Sequence, residues 1–144
     1  MSATRKQSGV IPYRHTDAGT EVLLITSTRT GHWQFPKGML EPGLSSRESA
    51  EQEAFEEAGA IGFAHDTVVA RYAYNKSGFL RCTVDLFPMH VQQVVADHDW
   101  QELHLRRRRW ASLDEARLLI DSPAIRRCLE DFRRWRAQGG VSSL

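Results

Sequence analysis

The run Val22-Leu23-Leu24-Ile25 constrains the fold most tightly. In an extended strand successive side chains point to opposite faces, so four consecutive apolar residues need cover on both. The run lies within Glu21–Thr26 and follows Asp17-Ala18-Gly19, a hairpin turn that joins it to an earlier strand at Gly9–Tyr13. Further strands are predicted at Trp33–Phe35, Thr67–Tyr74, Leu80–Val91 and Arg109–Ala111. In the Leu80 segment Cys82, Val84, Leu86 and Pro88 alternate with Arg81, Thr83, Asp85 and Phe87, a pattern for a sheet with unlike faces.

Covering layers are available. Ser45 and Glu48 form a capping-box pair, and Gly59 supplies a helix stop, so 46–58 is predicted helical. Ser112 or Asp114 caps a second helix running through Ile120. Ser122-Pro123 opens a third, with Ile125, Cys128, Leu129, Phe132 and Trp135 on one stripe. Its arginines, 126, 127, 133, 134 and 136, fall largely on the other faces and read as solvated. The fold class is therefore α+β, and 144 residues make one domain over 1–144, with 1–8 and 138–144 expected as flexible ends. The loop 36–44 carries Pro36, Gly38, Pro42 and Gly43 and reads as an ordered turn system.

Nineteen basic against eighteen acidic residues argue against a general nucleic-acid or membrane-surface partner. Cys82 and Cys128 have no metal-type spacing and read as reduced thiols, in the core or half-buried. The opening MSATRKQSG has no apolar signal run, and no segment approaches the roughly 20 apolar residues of a membrane span. A cytoplasmic protein, monomer or homodimer, is expected. The six histidines are scattered, so no zinc site is assigned.

Glu53, Glu56 and Glu57 occupy an arc of about 100° on the 46–58 helix, beside Ala50, Ala54 and Ala58. The alanines would let the helix lie close on a sheet while the acidic edge meets a cleft. Like charges at this spacing repel unless solvated or bridged by a hard divalent cation, so the glutamates read either as a solvated face or as a metal site. The preceding Pro36-Lys37-Gly38 turn, which lets backbone approach a ligand, favours a metal–phosphate site.

The stretch Gly38 to Ala60 resembles the signature of the Nudix hydrolases, Gly-x5-Glu-x7-Arg-Glu-U-x-Glu-Glu-x-Gly-U with U aliphatic. Gly38, Glu53, Glu56, Glu57 and Gly59 match, with Ala54 and Ala60 at the U positions. The resemblance implies an α/β/α sandwich around a mixed sheet. It also implies cleavage of phosphoanhydride bonds in nucleoside diphosphate-linked or polyphosphorylated small molecules with Mg²⁺ or Mn²⁺. It makes Glu53, Glu56 and Glu57, with the Gly38 carbonyl, the metal ligands, and one of these glutamates or a later acid the group that activates water. Glu102 is the candidate later acid, with a solvated loop glutamate as its alternative.

Two positions depart from the signature: Leu44 stands for Glu and Gln52 for Arg. Both losses remove members of a polar network that the resemblance assigns to orienting the glutamates, and the opposite charges lost would compensate. An active enzyme and a degenerate, ligand-binding or regulatory module both remain open. Gly38-Met39-Leu40-Glu41-Pro42 and Arg109–Ala116 resemble the diphosphoinositol polyphosphate and diadenosine polyphosphate hydrolase branch. Arg29, Lys37, Lys76 and Arg81 are the expected contacts to a small phosphorylated substrate. Arg106 to Arg109 reads as a solvated strand edge or as further phosphate contacts. Tyr13, Trp33, Phe79 and Phe87 are available to stack on a base, although core packing explains each of them more cheaply.

Overall fold

The apolar run does sit between two layers. The computed structural model, which describes residues 3–140, places it in β2 (Gly19–Thr26). Val22 and Leu24 enter one core, Leu23 and Ile25 the other. Around β2 the chain runs β1 (Ala3–Thr16), β2, β3 (Trp33–Gln34), β4 (Lys37–Met39), α1 (Ser46–Ala58), β5 (Ala60–Ala64), β6 (Ala70–Ser77), β7 (Leu80–Val94), β8 (Arg108–Ser112), α2 (Leu113–Leu119) and α3 (Pro123–Ala137). The strands form one mixed sheet in the order β3-β2-β1-β7-β5, with β4 added to β1, β6 to β7 and β8 to β2. Among the described residues only the central β1–β7 pairing is parallel.

One face of the sheet is covered by α2 and α3, where Ile125, Cys128, Leu129 and Phe132 meet Ile11, Val22, Val84 and Leu86. The opposite face is covered by α1 through the expected alanine edge: Ala50, Ala54 and Ala58 are fully buried against Val10, Leu23, Phe87 and Met89. Small side chains bring the helix axis close to the strands, and a methylene inserted there would overpack the layer. Cys82 and Cys128 are both free and buried.

Three expectations change. Residues 3–8 are not a flexible end; they form the start of β1, paired with Leu80–Asp85 of β7, and Gln7 and Ser8 are buried. Their polar sequence gives no strand signal, because the pairing is supplied by backbone from a distant segment. The turn system at 36–44 contains β4, which pairs Lys37, Gly38 and Met39 with Gly9, Ser8 and Gln7. β5 was absent from the predicted strands; Gly62 interrupts it, and the pairing with β7 shifts register there as a bulge. At the other end Gln138–Gly140 form a turn, and 141–144 lie outside the described residues.

Candidate active site

The acidic edge is aimed by both ends of α1. Ser45 Oγ accepts from Glu48 N–H at 3.1 Å while Ser45 N–H donates to Glu48 Oε1 at 2.9 Å, completing the capping box. Gly59 closes the helix at φ 64°, a conformation open to glycine. Glu41 N–H donates to Ser49 Oγ at 3.0 Å, pinning the loop between β4 and α1 to the helix. These contacts lay Glu53 against Gly38: a Cβ at position 38 would come within 2.3 Å of the Glu53 carboxyl carbon.

Glu57 is nearly enclosed. Its Oε1 accepts from Lys37 N–H at 3.1 Å and its Oε2 from Arg106 Nη2 at 3.0 Å. Burial raises its pKa from the ordinary glutamate value, opposed by Arg106 and Lys37. Glu53 is pushed up to about 7, first by burial and then by Glu57, Glu56, Glu102 and Glu41. Glu56 is half-exposed. Glu102 joins the group through Arg106 Nε, at 2.6 Å. The structure brings Glu53, Glu57 and Glu102 into one neighbourhood, beside the Gly38 backbone.

The arginine run is not a solvated edge throughout. Arg106 is almost wholly buried among the carboxylates. Arg108 lies over the Trp100 ring at 4.4 Å and donates to the carbonyls of Ala58 and Val95. Arg107 lies over Trp33, and Arg109 pairs with Glu115. Leu44 and Gln52, the two departures from the signature, are both exposed. The buried guanidinium facing Glu57 therefore comes from outside α1.

Beside the cluster opens a cleft of about 480 Å³. Arg29, Lys37, Lys76 and Arg106 line it, with Trp33, Tyr72 and Tyr74 as its aromatic wall. Arg29 Nη1 donates to the Lys76 carbonyl at 2.6 Å, tying the β2–β3 loop to β6. Lys37 Nζ stands 4.8 Å from the Tyr74 ring centre, and burial lowers its pKa. Arg81 does not join this group. It is exposed, alternates along β7 with the buried Cys82, and is absent from the cleft lining. Of the four aromatics named from sequence, only Trp33 reaches the cleft; Tyr13 and Phe87 are core, and Phe79 is 79% exposed. Tyr72 and Tyr74, spaced two apart on one strand face, were the legible signal that sequence reasoning passed over.

An oxygen-rich cluster that raises the pKa of its own carboxyl fits the chemistry of a hard divalent cation, which would relieve that repulsion. Because Gly38 has no Cβ, the Glu53 carboxylate fills that space and lies directly against the strand backbone. Among the described residues no three His, Cys, Asp or Glu side chains stand close enough together to hold a metal ion as they are. Nor is any helix among them long and apolar enough to cross a membrane.

Comparison with known proteins fits this geometry. A NUDIX domain model matches residues 5–132. Nudix hydrolase 18, mitochondrial, of Arabidopsis thaliana is 37% identical over 120 residues, covering 78% of this chain and 67% of that protein. Nudix hydrolase 21, chloroplastic, from the same plant is 33% identical over 132 residues, covering 89% and 66%. The chain spans about two thirds of the length of these curated relatives. Among solved structures, an Ap4A hydrolase from C. elegans superposes with a TM-score of 0.74 at 23% identity, covering 93% of this chain and 99% of that one. The NUDIX domain of Shewanella oneidensis NrtR, solved with ADP ribose, superposes at 0.68 with 12% identity, covering 93% and 89%. The chain belongs to the Nudix hydrolase family and has its α+β fold.

Proposed function

We propose that the protein hydrolyses a phosphoanhydride bond in a polyphosphorylated small molecule, of the dinucleoside polyphosphate or diphosphoinositol polyphosphate type, using Mg²⁺ or Mn²⁺. The observation that carries this reading is the juxtaposition of a carboxylate cluster, only partly neutralised by Arg106, with a cationic, aromatic-walled cleft that Lys37 and Arg106 also line. Glu53, Glu56, Glu57 and the Gly38 carbonyl would hold the metal. When bound it would neutralise pyrophosphate oxygens and lower the pKa of a coordinated water.

The chain's own groups supply the rest. Lys37, carried on the same backbone that donates to Glu57, offers its amine to phosphate oxygens at the cleft floor. Arg29 and Lys76 offer charge at the rim, and Trp33, Tyr72 and Tyr74 present ring surface to a base or sugar. Glu53, with a pKa about 7 in the metal-free chain, is poised to exchange a proton with water near neutral pH. Glu102 is fixed by Arg106 and serves as the alternative base. A cytoplasmic location agrees with two unpaired thiols.

Phosphate or nucleotide release should be measured on dinucleoside polyphosphates, ADP-ribose, nucleoside triphosphates and diphosphoinositol phosphates, with Mg²⁺, Mn²⁺ or EDTA. Wild type is expected to turn over at least one polyphosphate only with metal, and Glu56→Gln, which breaks no hydrogen bond in the fold, to lose at least about 100-fold, the scale set by losing a charged group at a reacting centre. Equal release by both proteins would exclude this site. The exposed, neutral positions 44 and 52 favour the second reading, a binding module with little turnover. That reading wins if wild type is inactive across the panel and Leu44→Glu with Gln52→Arg restores release.

A further inference from the structure

The acidic edge of α1 has no cation on its own helix. Arg47, the sole basic residue in α1, lies 3.5 Å from Glu51. Gln52 is exposed. The countercharge arrives instead from the segment before β8. Arg106, with a side chain 9% exposed, donates from Nη2 to Glu57 at 3.0 Å, from Nε to Glu102 at 2.6 Å and from Nη1 to the Thr26 carbonyl at 2.9 Å. Its backbone is locked from behind, because Thr26 N–H donates to the Arg107 carbonyl at 3.0 Å and Arg107 N–H to Thr26 Oγ1 at 2.8 Å.

A guanidinium is a rigid planar fork, so three acceptors on three segments define its orientation completely. Glu57 is thereby gripped at both oxygens, by Lys37 N–H on one side and Arg106 on the other. Glu102 is drawn from its loop into the same frame. We propose that Arg106 is the positioning residue of the acidic site, holding Glu57 and Glu102 in one rigid frame for a divalent cation in place of a basic residue on α1. The proposal rests on the metal-dependent reading above. A buried ion pair can also exist for folding alone, and the discriminating property is the fork: lysine keeps the charge but cannot span three acceptors.

The test is a Mn²⁺ titration followed by electron paramagnetic resonance on the full chain. It compares wild type, Arg106→Lys, Arg106→Gln and the Leu44→Glu/Gln52→Arg pair, with metal-free thermal unfolding in parallel. Arg106→Lys is expected to fold, to bind Mn²⁺ about tenfold more weakly, as loss of a group that orients metal ligands does, and to lose kcat with little change in KM. The surface pair at 44 and 52 is expected to stay within about twofold of wild type, as exposed substitutions do. Arg106→Gln leaves Glu57 and Glu102 facing each other, and if it fails to fold, Arg106→Lys decides. Folded Arg106→Lys with wild-type Mn²⁺ affinity would overturn the proposal, as would failure of Arg106→Lys to fold, which would make the residue a fold determinant. Wild type that neither binds Mn²⁺ nor hydrolyses any substrate would sink the functional reading instead.

Discussion

At the scale of single residues, Glu53 and Gly38 act as a pair. In the metal-free protein Glu53 keeps its proton up to a pH of about 7, whereas the unfolded chain releases it near 4.5. The folded state therefore binds more protons between those values, and its stability falls as pH rises through that window. After solvent screening the loss is about 1–2 kcal/mol. His65, whose pKa is lowered by burial, works in the opposite direction, so the comparison belongs between wild type and Glu53→Gln. Urea unfolding without metal is expected to show Glu53→Gln gaining on wild type from pH 5 to pH 7.5, and a constant gap would contradict the account. Gly38→Ala makes the complementary case. The atoms nearest its new Cβ are all at the movable end of Glu53, so the fold is expected to survive while the carboxylate is displaced. Near-native circular dichroism with Mn²⁺ binding weakened about tenfold or more is expected, in line with disturbed metal ligation elsewhere.

Residues of this site were unequally legible in the sequence. Glu53, Glu56, Glu57 and Gly38 announce themselves because their spacing is local to one loop and one helix. Arg106 does not, since in a run of four arginines nothing local tells a buried guanidinium from a solvated one. Its burial is decided by α1 and the end of β2, distant in sequence. Arg81 is the mirror case: alternation along β7 sets it apart from the cleft its charge suggested.

At the scale of elements, α1 must be held at both ends for Glu57 to meet Lys37 and Arg106, which line the cleft. Ser45→Ala removes the cap and is expected to cost about 1 kcal/mol in chemical denaturation. Arg108 secures the other end, donating to Ala58 and Val95 carbonyls, pairing with Asp97 and stacking on Trp100. Arg108→Ala is expected to cost about 2–3 kcal/mol, since it strips charge-assisted bonds from buried carbonyls. A cost below that of Ser45→Ala would contradict the clamp. The helices and the apolar strand were readable because caps and hydrophobic period are written locally. β4, β5 and the polar start of β1 were not, because pairing with distant backbone makes each of them a strand.

At the scale of the whole molecule, the sheet separates two duties. Its α3 side builds the larger apolar core, and its α1 side carries an alanine-packed layer whose free edge is the acidic cluster. β4, as part of that sheet, brings Lys37 and Gly38 to the glutamates, so the loop and the helix of the signature meet through β1. The central claim is that Gly38, the three glutamates and the adjoining cleft form one metal–phosphate site. Paramagnetic broadening tests it most directly, with substoichiometric Mn²⁺ added to isotopically labelled protein while backbone amide signals are recorded. Selective loss of the Lys37, Gly38, Glu53, Glu56 and Glu57 signals, followed by shifts of the Arg29 and Lys76 signals when a non-hydrolysable polyphosphate is added, is the expected result. Broadening centred on other acidic patches, such as Asp114 and Asp131, or no selective broadening, would contradict it.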